Sequence, residues 1–287
     1  MRVVSSLQAA QLDEDSVVTI GAFDGIHRGH RAVIESVRRA ALEQGRASVV
    51  VTFFPHPSVV LGRTEPFYLT STEEKIGVLN EIGIDLLVVM NFTLEMSRTR
   101  AADYVSLLVE QLRLREVHVG YDFVFGYQRA GNIDFLQRLG PEYGFGVRVI
   151  EALLNAGEPI SSTGIRHALR AGDVELAAQW LGRPFRLSGA ASRSPQPGFP
   201  VVPLDVWQAH AIPANGAYAC WAWAGDLRYK ALVDLGARTA GEGRPVRTVD
   251  VQLLDQSRSL DGLRVALDFV TRLRERDAEA VRRMLAP

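Results

Sequence analysis

The chain has 287 residues, of which 47% are hydrophobic and 23% charged, the balance of an ordinary globular protein; disordered and fibrous classes are excluded. A formal net charge of −1 supplies no global field for a polyanion, so nucleic acid is not an expected partner. Cys220 is the single cysteine, which rules out an internal disulfide and a cysteine-rich metal site.

The N-terminus, Met1 to Asp15, turns acidic early and has no sustained apolar core. Neither a secretory signal nor a membrane span is expected there, and no later run reaches about 18 uncharged apolar residues. A cytoplasmic enzyme without a membrane partner is the expected class. Val17 to Gly21 predicts a strand, followed by a helix over His30 to Gln44 with Val33, Ile34, Val37, Ala41 and Leu42 on one face. Ala47 to Phe54 and Leu86 to Met90 are near-continuous apolar runs, as strands buried on both faces should be. Arg100 to Leu112 is amphipathic, Val117 to Gly120 and Val147 to Ile150 predict further strands, and Ile133 to Tyr143 predicts a helix between them. Such alternation predicts an α/β fold, a doubly wound parallel sheet whose ligands lie beyond the carboxyl ends of the strands.

Two short helices are expected next, Thr163 to Ala171 and Val174 to Leu181. Ala190 to Pro203 is rich in Pro, Ser and Gly and reads as a boundary or an ordered loop. Strand-like runs follow at Ala217 to Ala224, Arg228 to Asp234, Thr248 to Leu254 and Leu263 to Val270, with a closing helix over Glu275 to Leu285. These predict a small β-barrel domain. Trp221 and Trp223 share one strand face, which suits barrel packing or a surface stacking site.

Four clusters carry the chemistry. Gly21 to His30 reads G-A-F-D-G-I-H-R-G-H between a strand and a helix. A helix N-terminus offers unpaired N–H groups and partial positive charge, glycine lets a phosphate approach the backbone, and His27 and His30 can donate to phosphate oxygens. Without a ligand the same residues would form a tight βα turn. Thr52 to Pro57, T-F-F-P-H-P, makes a rigid and partly apolar wall or a plain structural turn. In Gly120 to Gly126, aromatics at 121, 123 and 125 would line one face of an extended segment and stack on a planar ring, with Asp122 accepting hydrogen bonds; a buried aromatic stripe is the alternative. Ile160 to Arg166, I-S-S-T-G-I-R, provides helix caps or, with Arg166, a second phosphate cradle.

In that order and spacing these four motifs resemble the FAD synthetase module of prokaryotic bifunctional riboflavin kinase/FMN adenylyltransferases, over roughly residues 15 to 185, including the L-G-R-P-F tail at Leu181 to Phe185. The resemblance implies a nucleotidyltransferase domain over residues 1–185 that moves AMP from ATP to FMN. It implies catalytic roles for His27, His30 and Arg166. Gly21, Phe23, Asp24, Gly25, Gly29, Ser162 and Thr163 would contact ATP. Phe54, His56, Pro57, Tyr121, Asp122 and Phe125 would contact the flavin, and Mg²⁺ would neutralise the polyphosphate, its ligands unassigned. Val124 stands where the family often has a basic residue.

Residues 186–287 resemble the family's riboflavin-kinase barrel in a degenerate form. The family's G-F-P-T-A-N reads Gly198-Phe199-Pro200-Val201-Val202-Pro203, so Val201 replaces the threonine and Pro203 the asparagine. Valine has no oxygen for a cation, and proline has neither a side-chain amide nor an N–H. The glycine-rich run before it is Ser192 to Pro197, and the glutamate position carries the shorter Asp250. Loss of kinase activity is therefore expected. The alternatives are a fully bifunctional enzyme, another small-molecule nucleotidylyltransferase, or a silent flavin-binding regulatory protein. Oligomeric state is open.

Overall fold

The computed structural model describes residues 1–65, 67–192, 201–239, 245–254, 260 and 262–285. By its internal contacts the chain falls into two units: Met1–Pro66 with Ser71–Ile160, and Phe67–Thr70 with Ser161–Pro287.

The first unit runs β1 (Arg2–Val4), α1 (Leu7–Ala10), β2 (Ser16–Ile20), α2 (Arg28–Gln44), β3 (Ala47–Phe54), α3 (Pro57–Val60), α4 (Thr72–Ile82), β4 (Leu86–Asn91), α5 (Ala101–Leu112), β5 (Leu114–Gly120), α6 (Ile133–Tyr143) and β6 (Gly146–Ile150), then a small hairpin of β7 (Leu154–Asn155) and β8 (Glu158–Pro159). The six main strands form one parallel sheet in the order β1-β4-β3-β2-β5-β6. Period-two alternation splits its apolar residues between two cores. Val18, Val49, Val51 and Val88 pack with Leu7 of α1, Leu108 of α5 and Leu136 of α6. Val50 and Leu87 pack with Ile34 of α2 and Leu79 of α4, and Val17 packs with Val37 and Ala41. Helices on both faces make the sheet doubly wound, as the sequence predicts. A buried polar chain ties α2 to β5: Ser36 Oγ lies 2.7 Å from His118 Nδ1, and His118 Nε2 lies 2.9 Å from Glu116 Oε1.

The sequence reading passed over β1, α1, α3 and α4. The first three span only three or four residues, too short to show a period. In α4 the buried positions are Lys75, Val78, Leu79 and Ile82, an i, i+3, i+4, i+7 stripe whose first member is charged. The signal that marks it is the capping box: Ser71 Oγ accepts from Glu74 N–H, and the Glu74 carboxylate accepts from Ser71 N–H.

The second unit holds α7 (Ser162–Ala171), α8 (Val174–Leu181), β9 (Phe185–Ala191), β10 (Val201–Val206), β11 (Gly216–Ala224), β12 (Leu227–Thr239), β13 (Pro245–Leu253), β14 (Arg264–Arg272) and α9 (Ala278–Met284). Its strands close into an antiparallel barrel in the order β10-β13-β12-β11-β14-β9. The Ala190 to Pro203 stretch, expected as a boundary or loop, has both ends in barrel strands; residues 193–200 within it, with Gly198, Phe199 and Pro200, lie outside the described residues. Pro203 sits inside β10, where a proline normally argues against a strand. Trp221 and Trp223 are half-buried and alternate with the fully buried Cys220 and Ala222. Trp221 packs with Leu232 and Val281, the Arg228 guanidinium lies 4.1 Å from its ring centroid, and Trp223 Nε1 donates to Asp268 Oδ2 at 2.8 Å. No helix among the described residues is long and apolar enough to cross a membrane.

Candidate active site

In the first unit the strand order reverses at β2: β3 and β4 follow on one side, β5 and β6 on the other. Such a reversal opens a crevice at the carboxyl ends of the two strands that flank it. The loop from Gly21 to His27 leaves β2 there, the segment from Tyr121 onward leaves β5, and Phe54 to Pro57 leaves the neighbouring β3.

The first loop is tightly wound. Phe23 (φ 44°), Gly25 (φ 86°) and Ile26 (φ 38°) all lie in the left-handed region, which two of them reach without being glycine. Gly21 lies under the Phe23 ring, 2.9 Å from where a Cβ would stand. Asp24, Phe23, Ile26 and His27 are buried. α2 begins at Arg28, two residues earlier than the sequence reading placed it, and His27 is its cap: Nδ1 accepts the His30 N–H at 3.3 Å. A ring that accepts at Nδ1 carries its proton at Nε2 when neutral, which leaves Nε2–H as its donor. The His30 ring stacks on that of His27 (centroids 3.6 Å apart, 18° between planes), and Phe23 meets His30 edge-on at 5.2 Å. Gly29 permits the stack, since a Cβ there would lie 3.2 Å from the His27 ring. The paired imidazoles expected from H-R-G-H are thus brought together on the first turn of a helix.

Beneath the loop lies a residue that sequence reasoning missed. Lys75 of α4 is buried, and its Nζ donates to Ala22 O at 2.7 Å and to Thr52 Oγ1 at 3.1 Å. Thr52 Oγ1 in turn donates to Ala22 O at 3.0 Å. Burial lowers the ammonium pKa to about 8, against the opposing pull of the nearby Asp24 carboxylate.

At the end of β3, Phe54 is exposed and His56 caps α3, accepting Ser58 N–H at Nδ1 (3.1 Å), with Pro57 opening the helix. The third cluster departs from expectation. Phe123 N–H donates to Gly120 O at 3.1 Å, closing a turn that breaks the extended alternation. Aromatics 121, 123 and 125 therefore do not share one face. Tyr121 and Asp122 are exposed, whereas Phe123 and Phe125 stack (5.4 Å, 21°) and pack on the core, Phe125 also against Phe135 at 6.0 Å.

Ser162, Thr163 and Arg166 belong to the second unit. Capping of α7 falls to Ser161, whose Oγ accepts Gly164 N–H at 3.2 Å, so Ser162 and Thr163 are its first two helical residues. Arg166 Nε donates to Phe67 O at 2.9 Å. Phe67–Thr70 is a strap held within this unit. The Arg170 guanidinium lies 4.4 Å from the Phe67 ring centroid, and Tyr68 stacks on Trp207 at 4.9 Å. Tyr68 N–H donates to Ala209 O, and Tyr68 O accepts Ala211 N–H.

In the barrel, Pro203 pairs with Asp250 and Asp250 with Asp234 across three adjacent strands, while Val201 pairs with Gln252. Arg276 Nε lies 3.0 Å from Asp234 Oδ2, and its Nη2 donates to Gln252 Oε1 at 3.3 Å. Burial raises the Asp234 pKa, Arg276 opposes the rise and the charge of Asp250 adds to it. Among the described residues no group of three or more His, Cys, Asp or Glu could hold a metal ion.

Comparison with known proteins matches both halves. The family described as FAD synthetase matches residues 9–164, and that described as Riboflavin kinase matches residues 181–281. Proteins named bifunctional riboflavin kinase/FMN adenylyltransferase are similar along most of the chain. The one from Pseudomonas fluorescens is 33% identical over 90% of this chain and 85% of its own length. The one from Listeria monocytogenes is 30% identical over 87% and 81%, and the one from Escherichia coli 32% over 91% and 85%. The fold also resembles a crystal structure described as a macrolide-efflux protein from Streptococcus pneumoniae, with TM-score 0.86 and 23% identity, covering 95% of this chain and 90% of that one; this likeness concerns fold alone. A paired-histidine loop at the sheet's reversal point, a six-stranded barrel after it, and relatives that align through both place this chain in the bifunctional riboflavin kinase/FMN adenylyltransferase family.

Proposed function

We propose that this protein is an FAD synthetase that has lost riboflavin kinase activity, with residues 1–185 forming the adenylyltransferase portion and 186–287 the kinase-like barrel. A cytoplasmic enzyme acting on small molecules is meant. The observation that carries the reading is the stacked His27–His30 pair on the first turn of α2, at the reversal point of a doubly wound sheet.

The reaction needs no covalent intermediate. An FMN phosphate oxygen attacks the α-phosphorus of ATP, a P–O bond forms, and the bond to the β-phosphate oxygen breaks as pyrophosphate departs. Positioning and charge stabilisation then supply the rate. In this reading His27 donates through Nε2–H and, with His30, steadies the α-phosphate and the leaving group. Gly21, Phe23, Asp24, Gly25 and Gly29 shape the loop around ATP, and Ser162, Thr163 and Arg166 hold the β- and γ-phosphates. Phe54, His56, Pro57, Tyr121 and Asp122 meet the flavin, with Phe125 packed behind them. Mg²⁺ would be shared with the phosphate oxygens of ATP, lowering the charge that the acceptor must approach.

Loss of the kinase rests on Val201 and Pro203, side chains that offer no oxygen to a metal or phosphate, and on the short Asp250, which has Pro203 beside it on one strand and Asp234 on the other. Incubation with FMN and Mg-ATP, and separately with riboflavin and Mg-ATP, tests both parts when products are resolved by chromatography. FAD and pyrophosphate are expected from the first mixture and no FMN from the second. Absence of FAD overturns the synthetase reading, and FMN made from riboflavin makes the enzyme bifunctional.

A further inference from the structure

We propose that Lys75 is a positioning residue for ATP: its buried ammonium pins the Ala22 carbonyl into the protein, so that the next peptide N–H faces the nucleotide phosphates, and it offsets the charge of Asp24 under the same loop. This rests on the reading that the Gly21–His30 loop holds ATP. Lys75 comes from α4, outside all four sequence motifs, and its Nζ reaches two of them, at the Ala22 carbonyl and the Thr52 hydroxyl.

The argument begins with peptide geometry. A trans peptide directs its C=O and the following N–H to opposite sides. Ala22 O accepts from Lys75 Nζ at 2.7 Å and from Thr52 Oγ1 at 3.0 Å, both beneath the loop. Phe23 N–H therefore points away from that anchor. Backbone strain gives the anchor its purpose. Phe23 and Ile26 hold left-handed φ values of 44° and 38°, which non-glycine residues keep only where their surroundings over-determine them. Successive N–H groups in such conformations form concavities that take anions. Two hydrogen bonds on one carbonyl fix the first peptide of this concavity before ligand arrives.

Charge supplies the second part. Asp24 is buried in the loop, where its carboxylate would oppose a polyphosphate. The Lys75 ammonium is close enough to Asp24 for the two to attract. A buried lysine in the leading position of an apolar helix stripe has a desolvation cost that packing alone does not explain.

The test uses the full-length protein and the variants Lys75→Met and Thr52→Val, with ATP binding measured by calorimetry and FAD formation by chromatography. Lys75→Met keeps the side chain's length and removes the cation. It is expected to raise the Kd and KM for ATP by about tenfold or more while the KM for FMN stays within about twofold, and Lys75→Arg should recover part of the loss. Thr52→Val, which keeps the ammonium and its bond to the Ala22 carbonyl but removes the hydroxyl that joins them, should give a smaller loss of the same kind. Unchanged ATP affinity in folded Lys75→Met overturns the proposal, as does an equal rise in the KM for ATP and FMN. If Lys75→Met does not fold, Thr52→Val decides, and wild-type affinity there overturns the proposal. A wild-type protein that binds ATP but makes no FAD removes the synthetase reading alone, since the binding comparison still judges Lys75. One that binds no ATP removes both.

Discussion

Histidine is an uncommon helix cap, and at position 27 it carries two duties. Its Nδ1 satisfies the His30 N–H, and its ring forms half of the stacked pair. The two histidines should therefore respond differently to truncation. His30→Ala is expected to lower kcat by about 10²–10³ with little change in melting temperature, as loss of a transition-state donor does. His27→Ala should lower kcat and also cost about 1 kcal/mol of stability through the lost cap, read as a lower melting temperature. Lys75 has its own signature in pH. Its folded pKa of about 8 lies below that of an unfolded lysine, so above pH 8 the unfolded chain binds more protons than the folded one. The cost of the buried charge is thus full below pH 8 and is relieved as pH climbs toward the ordinary lysine value. Denaturant titrations at pH 7 and pH 9.5 should show the wild type gaining stability relative to Lys75→Met. At this scale the sequence spoke clearly where chemistry is local. The histidine pair, its glycine and the Ser-Thr helix start could be read from spacing alone. Lys75 could not, because its meaning comes from a carbonyl 53 positions away. The grouping of Tyr121 with Phe125 failed for a related reason: one hydrogen bond, Phe123 N–H to Gly120 O, turns the chain and sends the two rings to different environments.

Elements were legible in proportion to their length and to the purity of their apolar stripe. β3 and α6 occupy the predicted residues, the first as a near-continuous apolar run and the second as a clear amphipathic pattern. α4 and β10 were hidden by Lys75 and Pro203, each standing where its element would ordinarily show an apolar or hydrogen-bonding residue. The start of α7 illustrates how tightly an element can restrict its own sequence. Gly164 lies against Trp180 of α8, with the indole 2.0 Å from where a Cβ would stand. Gly164→Ala forces these two helices apart and is expected to cost about 1–3 kcal/mol, measured as a fall in the denaturation midpoint. Ser161→Ala should cost about 1 kcal/mol through the cap and leave the Ser162 and Thr163 hydroxyls in place.

The molecule as a whole is not divided where its sequence composition changes. Helices α7 and α8 fall in the unit that contains the barrel, and so does the strap Phe67–Thr70. Tyr68 is buried on Trp207 and clasps the 209–211 backbone from both sides of its own peptide. Tyr68→Ala should remove the ring stacked on the already exposed Trp207 and destabilise the second unit by about 3–5 kcal/mol, the range for large aromatic truncations, read as a lower denaturation midpoint. An expressed fragment 161–287, lacking the strap, should show a lower melting temperature than the intact chain. Nothing in composition announces this arrangement, because the strap lies inside a region that otherwise reads as connection between α3 and α4.

The strap also sets an order of events during synthesis. Residues 67–70 leave the ribosome roughly ninety codons before α7, and well ahead of Trp207 and the backbone that grips Tyr68. For that interval Trp207 and the 209–211 backbone, which grip the tyrosine in the finished fold, have not yet been made. A gene cut into two halves therefore cannot give a complete second product, whichever codon is chosen after the strap.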